Sequence, residues 1–260
     1  MSLRTVTATR YVTPLREGGS LPAIVEGDDD GLYVLKFRGA GQGPKALIAE
    51  LICAELARTV DLPVPEVVFM QLDAELARTE PDPEIQDLIR ASAGLNLALD
   101  YLPGALAMDP VAHRPGATLA SAVVWLDALV SNVDRTVRNT NLLMWHRRLW
   151  LIDHGAALYF HHAWDGALER AGQPFARIAE HVLLPWASEL AAADARLAPQ
   201  LTRERIEIIL AAVPDEWLPP EPLFADAAAE RRAYVDYLTR RLQAPRAFAA
   251  EAARAHAAHL

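Results

Sequence analysis

The sequence predicts an α+β chain of two lobes: a β-rich lobe over residues 1–102 and a mostly helical one over 103–260. Three observations lead there. Runs rich in β-branched and aromatic residues, TRYVTPL, LPAIVEG and LYVLKF, open the chain and are divided by the turn-forming REGGS and DDDG. One prominent stretch, KALIAELICAELARTV, then carries helical apolar spacing. From Ala117 onward the pattern is mainly helical, broken by one short hairpin.

The elements follow in order. GAGQGP connects the third strand to the main helix, and the prolines of DLPVPEV stop that helix. PEVVFMQLD reads as a strand, AELARTEPDPEIQDLIRASAG as helix around a proline break, and LNLALDYLPG as a fifth strand ending at a Pro-Gly turn. The connection between the lobes falls near Leu102 to Gly104. RERIEIILAAV and AAAERRAYVDYLTRRLQAP form two amphipathic helices, and the proline-rich DEWLPPEPLF between them reads as a surface connection. The string AELART occurs at Ala54 and again at Ala74, a coincidence of Ala-rich helices rather than a repeat.

Composition narrows the function. The chain has 260 residues and a net charge of −9, which argues against a general nucleic-acid binder. Cys53 is the only cysteine, so no intrachain disulfide forms, which suits a reducing compartment. The start, MSLRTVTATRYVTPL, reads as mature protein, and the longest apolar runs are too short for a bilayer. A cytoplasmic protein is expected. Lys36 and Lys45 are the only lysines, and every other cation is arginine, which suggests that a compact ammonium is needed there.

The chemistry concentrates in NVDRTVRNTNLLMWHRRLWLIDHG. NLLMW and LWLID alternate apolar side chains, so a hairpin brings Asn139, Asn141 and Asp153 to one end. Asp134 lies on the loop leading in. An acid, an asparagine five residues on, and a hairpin running into Asp-x-Gly is the layout phosphoryl transfer needs. One carboxylate takes the proton of the attacking hydroxyl, while an Asn oxygen and a second carboxylate hold magnesium. Gly155 is expected to let the backbone turn after the second acid. Upstream, Lys36 on its strand precedes a helix carrying Glu50 and Glu55, the pattern of a lysine that pairs a helix glutamate while touching phosphates. The helical wheel places Glu55 among Leu51, Ile48 and Ile52 and so favours it as the partner. The turn holding Gly18, Gly19 and Ser20 is placed to fold its amides over phosphates.

These residues resemble the HipA-like kinases, a bacterial branch of the protein-kinase-like fold related in motif style to the phosphoinositide kinases. The resemblance is carried by VLKF, the helix ending in LARTVDLPVPEV, LDYLPGA, NVDRTVRN and LIDHGAA. It implies ATP as cofactor with Mg2+, and transfer of the γ-phosphoryl group to a hydroxyl, Ser or Thr of a protein. It implies Lys36 on the α- and β-phosphates, Asp134 as catalytic base, and Asn139 and Asp153 as magnesium ligands. It implies as well that the adenine sits against Leu99 to Tyr101. Counted back from LPVP, the family's helix glutamate falls on Glu50, with Glu55 the fallback. A genetically linked regulatory partner is also implied. The chain departs from the pattern at Thr136, where the family usually has His, and Asp-His-Gly replaces the Asp-Phe-Gly of ordinary protein kinases.

Other readings are a small-molecule phosphotransferase of the same fold, a nucleotide- or partner-binding pseudokinase, and a metal-dependent hydrolase using His154, His161 and His162. Against the last, adjacent histidines point apart on any regular element, and surface or supporting roles suit them better.

Overall fold

A computed structural model of the chain describes residues 3–15, 21–41 and 43–259. In chain order come β1 (Thr5–Pro14), β2 (Ala23–Gly27), β3 (Leu32–Lys36), α1 (Pro44–Thr59), β4 (Val67–Leu72), α2 (Pro83–Ala91) and β5 (Gly94–Asp100). There follow β6 (Leu106–Ala107), α3 (Ala117–Val130), β7 (Leu142–Trp145) and β8 (Arg148–Leu151), then α4 (Ala167–Arg170), α5 (Leu190–Leu197), α6 (Arg203–Ala211), α7 (Ala227–Leu242) and α8 (Ala247–His259).

The five N-terminal strands close into a barrel in the order β1-β2-β3-β5-β4, a closure the strand pattern does not reveal. A parallel pairing, Val6 opposite Met70, joins β1 to β4. Alternation sorts each strand's side chains. Tyr33, Leu35 and Ala98 enter the barrel interior with Val25, Val68 and Met70. Val34, Lys36, Leu97 and Leu99 therefore lie on the outer face, with Lys36 opposite Leu97 and Val34 opposite Leu99.

α1 packs on that outer face and also against the C-terminal helices, so every residue from Leu47 to Ala57 is buried. A helix buried on all sides has no polar face to read. Its apolar residues join one large core with α3, whose run from Ala120 to Val130 is likewise buried, while the barrel interior forms a second core. β6, β7 and β8 make a separate sheet in that order.

The tail differs from the sequence reading. Beyond α6 and α7 it holds α5 and α8, and DEWLPPEPLF is not only a surface connection. Trp217 is fully buried, meets Phe69 edge-on at 5.6 Å and donates its indole N–H to the Leu95 carbonyl at 3.1 Å. A large aromatic with a polar handle is a strong anchor, whatever the prolines beside it suggest. Among the described residues no helix is long and apolar enough to cross a membrane.

Candidate active site

Lys36 ends β3 on the barrel's outer face, and its side chain is 11% exposed. Its Nζ donates to Glu50 Oε2 at 2.7 Å and to Asp153 Oδ1 at 2.5 Å. Glu50 is fully buried and is held from a second side by the His154 backbone N–H at 2.7 Å, with His154 Nδ1 3.3 Å from Oε1. Burial alone raises a carboxyl and lowers an ammonium. The facing charges outweigh it, so Glu50 lies well below the usual carboxylate range and Lys36 above the usual lysine value.

Glu55, the residue the helical wheel favours, sits one and a half turns further along and bonds Arg58 instead. Burial pushes its carboxyl up. The wheel fails here because both glutamates are buried, at 0% and 1% exposure, on a helix enclosed all round.

The loop after α3 carries the second group. Asp134 Oδ2 accepts the side-chain N–H2 of Asn139 at 2.8 Å and of Asn141 at 3.2 Å. Thr136 closes the loop: its backbone N–H donates to the Asn139 carbonyl at 2.9 Å, and its hydroxyl accepts the Asn139 N–H at 3.3 Å. With their amide nitrogens committed to Asp134, both asparagines keep a side-chain oxygen for another partner. The hairpin stem joins the two groups, because the Ile152 N–H donates to the Asn141 carbonyl at 3.1 Å. Asp153 itself meets Lys36 and has no direct bond to Asn139.

The donor set is one half-exposed carboxylate, Asp153, with amide oxygens on the opposite strand of the stem. Among the described residues no group of three or more His, Cys, Asp or Glu forms a metal cage. One or two oxygen ligands completed by phosphate and water is how Mg2+ is commonly bound, so these residues fit such an ion.

The backbone turn falls on Asp153, in the left-handed region at φ 55°, and not on Gly155 as the sequence suggests. A Cβ on Gly155 would meet only ordinary contacts at 3.6 Å. Leu99 is buried on the outer face of β5, and Tyr101, just past it, donates its N–H to the Leu32 carbonyl at 2.9 Å. Ile24 and Val34 extend the Leu99 row across the barrel. Neither is among the residues expected from the sequence, although Val34 lies two residues before Lys36 and so shares its face. Gly18, Gly19 and Ser20 lie outside the described residues.

A brace beneath the loop was also missed. Arg135, beside Asp134, is buried and donates Nε to Asp127 Oδ2 of α3 at 2.5 Å. Its Nη1 reaches the Ile152 carbonyl at 3.2 Å and the Asn141 carbonyl. His181 Nδ1 accepts the Leu183 N–H at 3.0 Å, so its Nε2 carries the proton and donates to Asp127 Oδ2 at 2.9 Å. Burial opposes ionisation of Asp127, but Arg135 and the His181 bond hold it below the usual carboxylate range. Residues fifty positions apart build this brace, so no local motif announces it.

His161 meets Tyr234 Oη at 2.9 Å and packs its ring edge-on against the exposed His162 at 4.5 Å, but His154 lies on Glu50, and among the described residues the three do not gather as a metal site. Lys45, in the first turn of α1, donates Nζ to the His161 carbonyl at 2.6 Å and so ties α1 to the segment after Asp153.

A family model described as HipA-like kinase matches residues 9–247. The chain belongs to the HipA-like kinase family. This HipA-like kinase is therefore a phosphotransferase, and its fold agrees with that of solved kinases. It resembles the crystal structure of a Helicobacter pylori proinflammatory kinase, CtkA, at 12% identity, 98% coverage of this chain, 99% of that one, and a TM-score of 0.53. A crystal structure of the Golgi casein kinase with Mn and ADP bound also matches, at 14% identity, 95% and 74% coverage, and a TM-score of 0.45. No curated protein matches the HipA-like kinase by sequence.

Proposed function

We propose that this kinase transfers the γ-phosphoryl group of ATP, with Mg2+, to a Ser or Thr hydroxyl of a protein. The observation that carries the reading is the hairpin stem, where the bond from Ile152 to Asn141 joins the loop of Asp134 and its two asparagines to Asp153 and its partner Lys36. In this reading the nucleotide lies between residues 1–102 and 103–260, its adenine on the Ile24, Val34 and Leu99 row and Tyr101.

Lys36 neutralises phosphate oxygens, and Glu50 keeps its ammonium on the cleft side. Asp134 orients the acceptor hydroxyl and takes its proton, with Asn139 and Asn141 fixing the carboxylate's direction. Asn139 and Asp153 would hold the magnesium, which spreads the charge developing on the transferred group. The lone cysteine, Cys53, is buried in α1, and an ATP-consuming role suits the cytoplasm.

Incubation with γ-labelled ATP and Mg2+, followed by mass spectrometry of the kinase and of lysate proteins, tests the reading. Phosphoserine or phosphothreonine that disappears with Asp134→Asn is expected. Label appearing only in small molecules would move the acceptor to that class, and no transfer with intact nucleotide binding would make the chain a pseudokinase.

A further inference from the structure

The hairpin that carries the site at its stem has a different surface at its tip. There a cavity of about 620 Å³ opens between the start of α3, the loop after α1 and the β7–β8 turn. Its floor is apolar, formed by Met108, Leu119, Met144 and Leu149. Met144 pairs with Leu149 on one side and with Leu106 on the other, so the three share one sheet face. That row runs from Leu149, which is buried, out to Leu106, which is 70% exposed. Val111, next to the cavity wall at Ala112, is 85% exposed.

The rim is cationic. Arg114 and Arg147 line the cavity, both are exposed, and among the described residues neither forms an ion pair. Arg148 also lines it, but its guanidinium lies 5.9 Å from the Trp150 ring centroid. Asp61 is the one acid in the lining. In a chain of net charge −9 this local excess of cations stands out.

The turn itself points the same way. His146 and Arg147 form a two-residue connection with both φ angles positive, 47° and 63°. Such turns favour Asn-Gly, because a side chain is strained there. An arginine at the second position forgoes that stability and hangs a free cation over the cavity.

We propose that this cavity docks a short acidic segment of a partner protein, one that carries large apolar side chains for the floor and carboxylates for Arg114 and Arg147. A lone phosphate would leave the apolar floor uncovered, and a flat membrane does not enter a concave site. The four residues of β7 separate the Arg147 end of the cavity from Asn141, roughly 13 Å at about 3.3 Å per residue, while Met108 at its other end donates its N–H to the Leu142 carbonyl beside the stem. The proposal does not rest on phosphotransfer, because the binding needs no nucleotide.

Fluorescence anisotropy tests it with a labelled peptide of alternating Glu and Leu, set against Lys-Leu and all-Glu peptides and phosphatidylglycerol vesicles. The Glu-Leu peptide is expected to bind in preference to all three. Arg147→Gly should weaken it at least about ten-fold while the melting temperature holds or rises, since glycine suits the turn. Arg114→Ser should weaken it comparably, and Arg148→Ser should leave it unchanged. The proposal is overturned if the Glu-Leu peptide fails to bind, if Lys-Leu or all-Glu peptides bind as tightly, if vesicles are preferred, or if Arg147→Gly and Arg114→Ser bind normally.

Discussion

Glu50 on α1 and Asp127 on α3 are both fully buried carboxylates, and both lie below the usual carboxylate range because cations or hydrogen-bond donors outweigh their burial. Their surroundings differ. Asp127 is closed in by Arg135, His181 and Asn132, all buried themselves. Glu50 has an open side: its partner Lys36 also holds Asp153, whose side chain is 39% exposed. A pair sealed on every side can only hold structure. A pair with one exposed member can exchange that member for a ligand, which fits the role proposed for Lys36 and a bracing role for Arg135.

The largest effect expected lies between the two clusters, at Asp134. Asp134→Asn keeps an oxygen to accept the amides of Asn139 and Asn141, so the loop should fold as before. Transfer should fall by about 10²–10⁴, the usual contribution of a positioned acid–base group. A melting temperature that drops while turnover per folded molecule is preserved would make Asp134 structural.

Next is the contrast between the two cations. Arg135→Met leaves Asp127 buried without its guanidinium partner, and breaking such a pair costs about 3–5 kcal/mol. For a chain of this size that lowers the melting temperature by about 10 °C. Lys36→Met should lose nucleotide affinity and transfer, with a smaller thermal shift because His154 still donates to Glu50 and the exposed Asp153 is left to solvent. Equal thermal shifts, with nucleotide affinity kept in Lys36→Met, would erase the distinction between the clusters.

Asp153→Ala should remove the dependence of nucleotide affinity on divalent cation. Calorimetry with and without EDTA measures it: the wild type should bind at least about ten-fold more tightly with Mg2+, and the variant should bind alike in both. A variant that keeps the full Mg2+ effect would take the metal away from Asp153.

Much of this was legible because it is local. Lys36 on a strand, Asp134 five residues before Asn139, and Asp153 at the end of a hairpin all follow from period-2 alternation and spacing. What was not legible depends on contacts distant in sequence. AELART shows this within one chain: at Ala54 it is the buried end of α1, and at Ala74 a 3₁₀ helix with Glu75 and Arg78 paired at the surface. The six residues carry the same propensities, and packing decides between the two forms. The anchoring of Trp217 and the Arg135 brace are of the same kind, as is the choice of Glu50 over Glu55, which the helical wheel missed and the family resemblance made. Each depends on what the rest of the chain places beside it.

The smallest effect expected separates the clusters by pH. Burial lowers His181, and its bond to Asp127 only partly offsets this, so the ring stays neutral in the fold below the ordinary value of 6.5. Below about 6.5 the unfolded chain binds a proton there that the folded chain does not, so this contribution to stability is lost as pH falls toward the folded value. The Lys36–Glu50 pair does not respond in that range. Glu50 is depressed, so its contribution is full above about pH 4.5 and falls away only below it, and Lys36 is raised, so its contribution is full up to about pH 10.5 and falls away only above it. Other groups are shifted as well: His161 and His162 are lowered by burial, while Asp100, Glu55 and Glu230 are raised by it and act in the opposite sense. The comparison with His181→Gln cancels them, because they are common to both proteins and the glutamine amide can still donate to Asp127. Between about pH 7.5 and 5.5 the wild type should lose more melting temperature than the variant. Parallel curves for the two proteins would remove His181 from the brace's acid response.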